Sequence, residues 1–220
     1  MPTTSPQRDA VVRSLRDGIV ALRPGERVAV AVDGVDGAGK SVLAAELAAA
    51  VAPHRRVLHL TVDGFHRPRA QRYRTGRGPE GFYRDSYDYD ALQALVLQPF
   101  RAGRPVVTAV RDVATDRPLA PEPVPVGADT VLLVDGIFLQ RPELAGAWDA
   151  AVFVDVPFAV SVPRGNDRFD GDHDPDPEAA SNRRYVEGQR LYLADADPRA
   201  SATWVVDNTD LAHPVLLSRP

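Results

Sequence analysis

The stretch that decides the fold is a glycine-rich octapeptide that ends in a lysine and a serine. It reads Gly34-Val35-Asp36-Gly37-Ala38-Gly39-Lys40-Ser41. This is the pattern G-x-x-x-x-G-K-[ST] of the phosphate-binding P-loop. The glycines let backbone N–H groups surround an anion, Lys40 can reach the β- and γ-phosphates, and the Ser41 hydroxyl can bind Mg²⁺. The motif, together with the following Val42, predicts a site for the phosphates of a nucleotide.

The segments on either side of the octapeptide are those that a P-loop requires. Residues 27–33 form an apolar run of strand length, and residues 40–52 are rich in strong helix formers. The N-terminus of that helix adds the positive end of its dipole to the site. The alternative, a glycine-rich turn that binds nothing, is disfavoured by this context.

Composition bounds the class of protein. The chain has 220 residues, enough for one α/β domain over residues 1–220, and its net charge of −4 indicates neither a nucleic-acid nor a membrane partner. The absence of cysteine excludes disulfides, thiolate catalysis and cysteine-based zinc sites. The N-terminus lacks the basic start and apolar region of a signal peptide. We therefore expect a cytoplasmic protein.

Apolar runs and helical periodicities alternate along the chain. Further strands are predicted over residues 56–62, 105–110, 130–135, 150–155 and 203–207. Further helices are predicted over residues 6–22, 87–98, 142–147, 157–164 and 178–195. Several strands are continuously apolar, which is typical of a parallel sheet that is buried on both faces. The alternation predicts an α/β three-layer sandwich with a mostly parallel sheet and helices on both faces.

The tripeptide Val-Asp-Gly closes three of the predicted strands, at residues 32–34, 62–64 and 134–136. Ligands of open α/β sheets bind outside the carboxyl ends of the strands, although Asp-Gly is also a common turn signal. We interpret Asp33 as structural. Asp135 ends a Walker B-like strand and can hold Mg²⁺. Asp63 can accept a proton from an acceptor hydroxyl, or contact the metal.

Together these motifs resemble the uridine kinase, phosphoribulokinase and pantothenate kinase superfamily of P-loop kinases. The resemblance covers residues 27–210 and is carried by the P-loop, Asp63-Gly64-Phe65-His66, Asp135-Gly136-Ile137 and an arginine-rich segment over 164–184. It implies the P-loop NTPase fold with a lid, ATP and Mg²⁺ as cofactors, and Asp63 as the general base. Lys40 and Ser41 would anchor the Mg·ATP. Asp135 stands where uridine kinases usually carry Glu.

The arginine-rich segment is similar to the lid of these kinases. It begins with Arg164-Gly165-Asn166-Asp167-Arg168. The resemblance implies that Arg164 and Arg168 close over the phosphates and neutralise the charge of the transferring group. Arg183 and Arg184 are alternatives for this role, and a solvated basic edge is the alternative for all four.

The loop expected to bind the acceptor, residues 63–86, resembles uridine kinases less clearly. Uridine kinases follow the third strand with a Tyr and a His that read the base, and the comparable stretch here, residues 110–116, has neither. The segments 63–66 and 86–92 are more similar to pantothenate kinase-like members. Candidate acceptor contacts besides Asp63 are Phe65, His66, Tyr83, Arg111, Tyr185 and Arg190. Tyr185 could instead pack with Tyr192 on one helix face.

The sequence therefore predicts an ATP-dependent kinase that phosphorylates an alcohol group of a small metabolite. A nucleoside, as in uridine kinases, is the first candidate for the acceptor, and a pantothenate-like molecule is the alternative. From a different class, a nucleotide-binding switch is disfavoured because no Asn-Lys-x-Asp guanine-reading motif is present. The sequence leaves open whether the protein forms a homo-oligomer.

Overall fold

The computed structural model describes residues 5–217, so that both ends of the expected domain, residues 1–4 and 218–220, lie outside it. A six-stranded sheet has the order β2-β5-β1-β6-β7-β8, and only β8 runs antiparallel to its neighbour. The strands are β1 (Val28–Gly34), β2 (Val57–Thr61), β5 (Val131–Gly136), β6 (Ala150–Asp155), β7 (Trp204–Asp207) and β8 (Val215–Leu217). A separate ribbon consists of β3 (Arg111–Asp112) and β4 (Arg117–Pro118).

Helices cover both faces of the sheet, which confirms the predicted α/β sandwich. They are α1 (Pro6–Ala21), α2 (Lys40–Val51), α3 (Arg69–Arg72), α4 (Pro79–Asp85), α5 (Tyr89–Leu92), α6 (Gln98–Arg101), α7 (Phe158–Asn166), α8 (Arg183–Ala196) and α9 (Pro198–Ser201). A π-helical turn over Gln93–Leu97 joins α5 to α6. Within the described residues, no helix has the length and apolar composition needed to cross a membrane.

Each face of the sheet has its own core, because the side chains of a strand alternate between the two faces. Val28, Val30 and Val32 of β1 pack towards α1 and α2. Ala29 and Ala31 lie in the opposite core, where the small side chains leave room for a cluster of aromatic residues. That cluster consists of Phe65, Phe82, Tyr83, Tyr87, Tyr89, Phe100, Phe138, Phe153 and Tyr192.

The expected strand over residues 105–110 is wrong. Only Val106 pairs, in an isolated bridge with Val124, and the N–H of Val107 bonds to the carbonyl of Leu95 instead of to a strand. The sixth strand of the sheet is β8, which sequence patterning missed because it has only three residues.

Two expected helices are shorter than predicted. The one over 142–147 is a single 3₁₀ turn, Pro142–Leu144, followed by Gly146 with a left-handed φ of 73°. The one over 178–195 begins only at Arg183, because Asp174 and Asp176 accept backbone N–H groups and hold the preceding residues in turns. The expected loop over 63–86 contains the 3₁₀ turn Val62–Phe65 as well as α3 and α4.

Candidate active site

The P-loop connects β1 to α2 at the carboxyl edge of the sheet and packs directly on α7. Gly37 has a φ of +74°, and a Cβ atom built there would overlap the backbone oxygen of Ser161 and lie 2.8 Å from the backbone nitrogen of Gly165. Both obstacles are backbone atoms, which cannot rotate away. The loop therefore needs glycine at this position for its conformation and for its approach to α7.

Lys40 lies buried across its own loop. Its Nζ atom donates to the carbonyl of Val35 at 2.8 Å. Burial lowers the pKa of Lys40, while the carboxylates of Asp36, Asp33 and Asp63 act in the opposite direction. An anion held by the loop would add further negative charge beside this ammonium and favour its charged form.

Ser41 and Asp135 meet as the Walker B-like pattern predicts. The Ser41 hydroxyl donates to Oδ2 of Asp135 at 2.5 Å, and His59 Nε2 lies 2.8 Å from Oδ1 of the same carboxylate. Hydroxyl and carboxylate oxygens are the donors that Mg²⁺ prefers, and this pair fits such an ion. Because both oxygens of Asp135 already have protein partners, the carboxylate is held in one orientation.

Sequence reasoning missed His59, since a single histidine within strand β2 carries no motif. We expect His59→Leu to weaken metal binding about tenfold, because groups that orient a metal ligand typically contribute ~10–100-fold to metal affinity. Mn²⁺ binding to the protein–ATP complex, followed by electron paramagnetic resonance, measures this directly. His54→Leu, at an exposed position, is the matched control. Equal Mn²⁺ affinity in both variants would assign His59 no role in orienting Asp135.

Arg164 and Arg168, the two arginines expected to belong to a lid, differ in their surroundings. Arg164, in α7, donates to the carbonyls of Asn208 and Thr209, and so ties α7 to the segment after β7. The guanidinium of Arg168 has no hydrogen bond or ion pair within residues 5–217, and its charge contributes to lowering the pKa of Lys40. Both arginines line a cleft of about 750 Å³. Other residues that line the cleft are Arg8, Gly37, Gly39, Lys40, Ser41, Val42, Ala45, Glu46, Asp167 and Leu211.

The alternative lid arginines, Arg183 and Arg184, do not line this cleft. Arg184 donates to the carbonyl of Gly78 at 3.1 Å, and its guanidinium lies 5.1 Å from the ring centre of Tyr73. It therefore links α8 to the loop between α3 and α4.

Asn208 and Arg8 also support the P-loop. Asn208 donates from its amide to the carbonyl of Ala38 at 2.7 Å and accepts from Arg8 at 3.2 Å. Arg8 also forms an ion pair with Glu46 of α2. The role of Arg8 could not be read from the sequence, because it lies in a helix far from every motif.

Helix α8 contacts the junction between β1 and the P-loop. The amide oxygen of Gln189 accepts the backbone N–H of Asp36 at 2.5 Å, and the Tyr192 hydroxyl donates to the carboxylate of Asp33. Gln140 also donates to Asp33, at 3.2 Å. Burial raises the pKa of Asp33, and these hydrogen bonds oppose that shift. The arrangement is that of a structural network, in agreement with the interpretation of Asp33.

Asp63 presents its carboxylate to solvent beside the P-loop. Its side chain is 58% exposed, and Oδ1 accepts a hydrogen bond from Tyr87 at 2.9 Å. Burial raises the pKa of Tyr87 well above its usual value, and the charge of Asp63 adds to this, so the phenol keeps its proton. Tyr87 thus fixes one carboxylate oxygen of Asp63 while the side chain stays open to solvent.

His66 lies beside this pair. Its Nδ1 atom is 2.9 Å from the backbone oxygen of Asp63, and its ring centre is 4.4 Å from that of Tyr87. Burial lowers the pKa of His66, although the neighbouring Asp63 opposes the shift. Arg111 is also nearby, because the N–H of the preceding Val110 donates to the carbonyl of Gly64 at 2.8 Å.

The other expected acceptor contacts have partners elsewhere. Phe65 is fully buried in the core. Tyr83 is buried too, and its hydroxyl donates to Asp195 at 2.6 Å. On α8, Tyr185 packs edge-on against Phe82, and Arg190 pairs with two glutamates, Glu178 and Glu187. The structure therefore groups Asp63, His66 and Arg111, and not these four.

Sequence comparison gives one curated relative. A pantothenate kinase from Limosilactobacillus reuteri subsp. reuteri (strain JCM 1112) is 33% identical over 115 residues, which are 47% of this chain and 36% of that protein. The chain thus spans about a third of the length of the relative that it matches. A comparison with protein-family models gives no match.

Solved structures match over most of the chain. A protein described as a "possible uridine kinase", from Bacillus stearothermophilus, superposes with a TM-score of 0.72 at 22% identity, covering 90% of this chain and 97% of that one. A protein provisionally named a fructose transport system kinase, from Silicibacter sp. TM1040, has a TM-score of 0.62 at 24% identity, covering 89% and 94%. The chain therefore shares the fold of these two proteins, with its P-loop between β1 and α2.

Proposed function

We propose that the protein is a small-molecule kinase that transfers the γ-phosphate of ATP to an alcohol group. The observation that carries this proposal is an oriented carboxylate beside the P-loop. A loop that only binds a nucleotide has no need of Asp63, which Tyr87 orients and whose charge acts on Lys40. Such a carboxylate can bind the hydroxyl group of an acceptor beside the phosphates.

The nucleotide half of the site is formed by residues 34–42, which fit the phosphates of ATP, and by Ser41 and Asp135, which fit Mg²⁺. When bound, Mg²⁺ would neutralise charge on the β- and γ-phosphates. Lys40 supplies a fixed positive charge from within the loop. We favour Arg168 over Arg164 as the lid arginine that neutralises the transferring group, since Arg164 is engaged with backbone carbonyls.

Asp63 acts as the general base on the acceptor. Its carboxylate accepts the proton of the acceptor hydroxyl while the oxygen of that hydroxyl bonds to the γ-phosphorus and the bond to ADP breaks. Tyr87 holds one carboxylate oxygen in place. Catalysis then consists of positioning and of charge neutralisation by Lys40 and Arg168.

We propose two candidates for the acceptor, a nucleoside and a pantothenate-like molecule. The first rests on the uridine kinase-like fold and the second on the sequence relative. In either case the alcohol oxygen is placed between Asp63 and the P-loop.

A panel of acceptors, scored for ADP release, tests the function. We expect one member among nucleosides, pantothenate and sugar phosphates to raise ADP release to on the order of 1–100 s⁻¹, the usual range of kinases. Lys40→Met should lose this stimulated release. ADP release that no acceptor stimulates would instead support a nucleotide-binding switch.

A further inference from the structure

Positive charge is concentrated on the acceptor side of a chain whose net charge is −4. Residues 63–77 contain five arginines and one acidic residue, Asp63. The arginines are Arg67, Arg69, Arg72, Arg74 and Arg77. This segment comprises part of the 3₁₀ turn that carries Asp63, helix α3 and the loop after it. Asp63 is therefore followed in the chain by a strongly basic segment.

Arg72 is the buried member of the group. Its side chain is only 11% exposed, and Nε donates to the carbonyl of Arg67 at 2.9 Å. The Nη2 atom is buried and has no hydrogen-bond partner in the part of the chain that the structure describes. The carboxylate of Asp116 lies 3.5 Å away, without the geometry of a hydrogen bond. A buried guanidinium N–H without a partner is costly, which favours a ligand that accepts from it.

Arg111 shares this carboxylate. Its Nη1 atom donates to the backbone oxygen of Asp116 at 2.7 Å and lies 3.9 Å from Oδ1 of the same residue. Asp116 also accepts the backbone N–H of Arg69 at 2.9 Å, so it joins the β3–β4 ribbon to α3. Asp116, through its carboxylate and its backbone oxygen, therefore holds the guanidinium groups of Arg72 and Arg111 near one another. Two cations against one anion leave an excess of positive charge.

The position of the pair connects it to the reaction. The residue before Arg111, Val110, is hydrogen-bonded to Gly64, which follows Asp63 directly. Arg72 acts electrostatically on His66, whose Nδ1 contacts the backbone of Asp63. The segment 110–116 is also where the tyrosine and histidine of uridine kinases are missing. In this chain, charged residues occupy that place.

We propose that Arg72 and Arg111 bind an anionic group of the acceptor, so that the substrate is an alcohol that also carries a carboxylate or a phosphate. This inference rests on the proposed kinase function. Guanidinium groups bind both kinds of anion through paired hydrogen bonds, and Asp116 holds the two arginines in place for it. The anionic group is separate from the hydroxyl that is phosphorylated, and it contributes to binding and orientation.

Matched acceptor pairs test the inference during turnover. One pair is pantothenate and pantothenol, which differ in a carboxylate, and the other is ribose 5-phosphate and ribose, which differ in a phosphate. We expect kcat/KM of the anionic member of at least one pair to exceed that of the neutral member about tenfold or more, as for one lost charge-assisted contact. Arg72→Gln and Arg111→Gln should each lower kcat/KM of the anionic member several-fold more than that of the neutral member, and so remove most of that preference.

Arg84→Gln is the matched control, since Arg84 is exposed and forms its ion pair with Glu80. Arg72→Lys, which keeps the charge and loses the planar fork, should retain part of the preference. Equal kcat/KM within both pairs in the wild-type protein, or an equal loss for both members in the variants, would overturn the inference. The pair that shows the preference distinguishes a carboxylate from a phosphate.

A binding measurement separates this inference from the kinase function. With the P-loop saturated by Mg²⁺ and the non-hydrolysable analogue AMP-PNP, added inorganic phosphate or malonate can report only on a second anion site. We expect one of these anions to raise the unfolding temperature of the wild-type protein and of Arg84→Gln saturably, and to leave Arg72→Gln and Arg111→Gln unchanged. An identical response in all four proteins, or none in the wild type, would refute the anion site even if phosphoryl transfer is observed. A response without any acceptor-dependent ADP release would retain the anion site and refute the kinase function.

Discussion

Asp63→Asn should reduce phosphoryl transfer by about 10²–10⁴-fold, the usual contribution of a general base, and leave Mg·ATP binding intact. The amide has nearly the same shape and can still accept the hydrogen bond of Tyr87, but it cannot take a proton. Because the side chain is 58% exposed, the substitution leaves no buried group without a partner. The turnover number with the best acceptor measures phosphoryl transfer. The Kd of AMP-PNP, from calorimetry, measures nucleotide binding separately.

Asp90→Asn is the control for this variant, since Asp90 is an exposed aspartate of α5. It should retain wild-type turnover. If Asp63→Asn turned over acceptor at the wild-type rate, Asp63 would not be the base. If it lost AMP-PNP binding as well, its role would lie in the nucleotide half of the site.

The fold could be predicted largely from the sequence, because its signals are local. Continuous apolar runs predicted a buried parallel sheet, and the structure contains β1, β2, β5, β6 and β7 at the expected places. The position of Asp135 on the P-loop side of the sheet could also be predicted, since strand ends and the P-loop meet at one edge of a parallel sheet. These inferences need only periodicity and topology.

What could not be predicted depends on pairing between distant residues. Residues 105–110 have the composition of a strand, yet Val106 pairs with Val124 and Val107 with Leu95, away from the six-stranded sheet. The partners of the catalytic candidates were missed for a similar reason. His59 is 76 residues from Asp135 and Tyr87 is 24 residues from Asp63, and neither has a local signal. A lone polar residue on a strand or helix looks like a surface residue until its partner is known.

Of the glycine-to-alanine substitutions, Gly37→Ala should lower stability and nucleotide binding the most. A left-handed φ costs a residue with Cβ roughly 1–2 kcal/mol, and overpacking against a fixed obstacle adds roughly 1–3 kcal/mol. Here the obstacle is the backbone of α7 at Ser161 and Gly165. We therefore expect the free energy of unfolding, from urea titration, to fall by roughly 2–5 kcal/mol, and AMP-PNP binding to be lost.

Gly25→Ala separates the two contributions to this loss. Gly25 has a φ of +83°, close to the +74° of Gly37, but nothing lies within 4 Å of a Cβ atom built there. It should lose only the backbone part, roughly 1–2 kcal/mol, and keep AMP-PNP binding. The difference between the variants then measures how tightly the P-loop is seated on α7, the helix that carries Arg164 and leads to Arg168. Equal losses in both variants would mean that the loop can move away from α7 at no cost. The lid arginines would then have no fixed position relative to the phosphates.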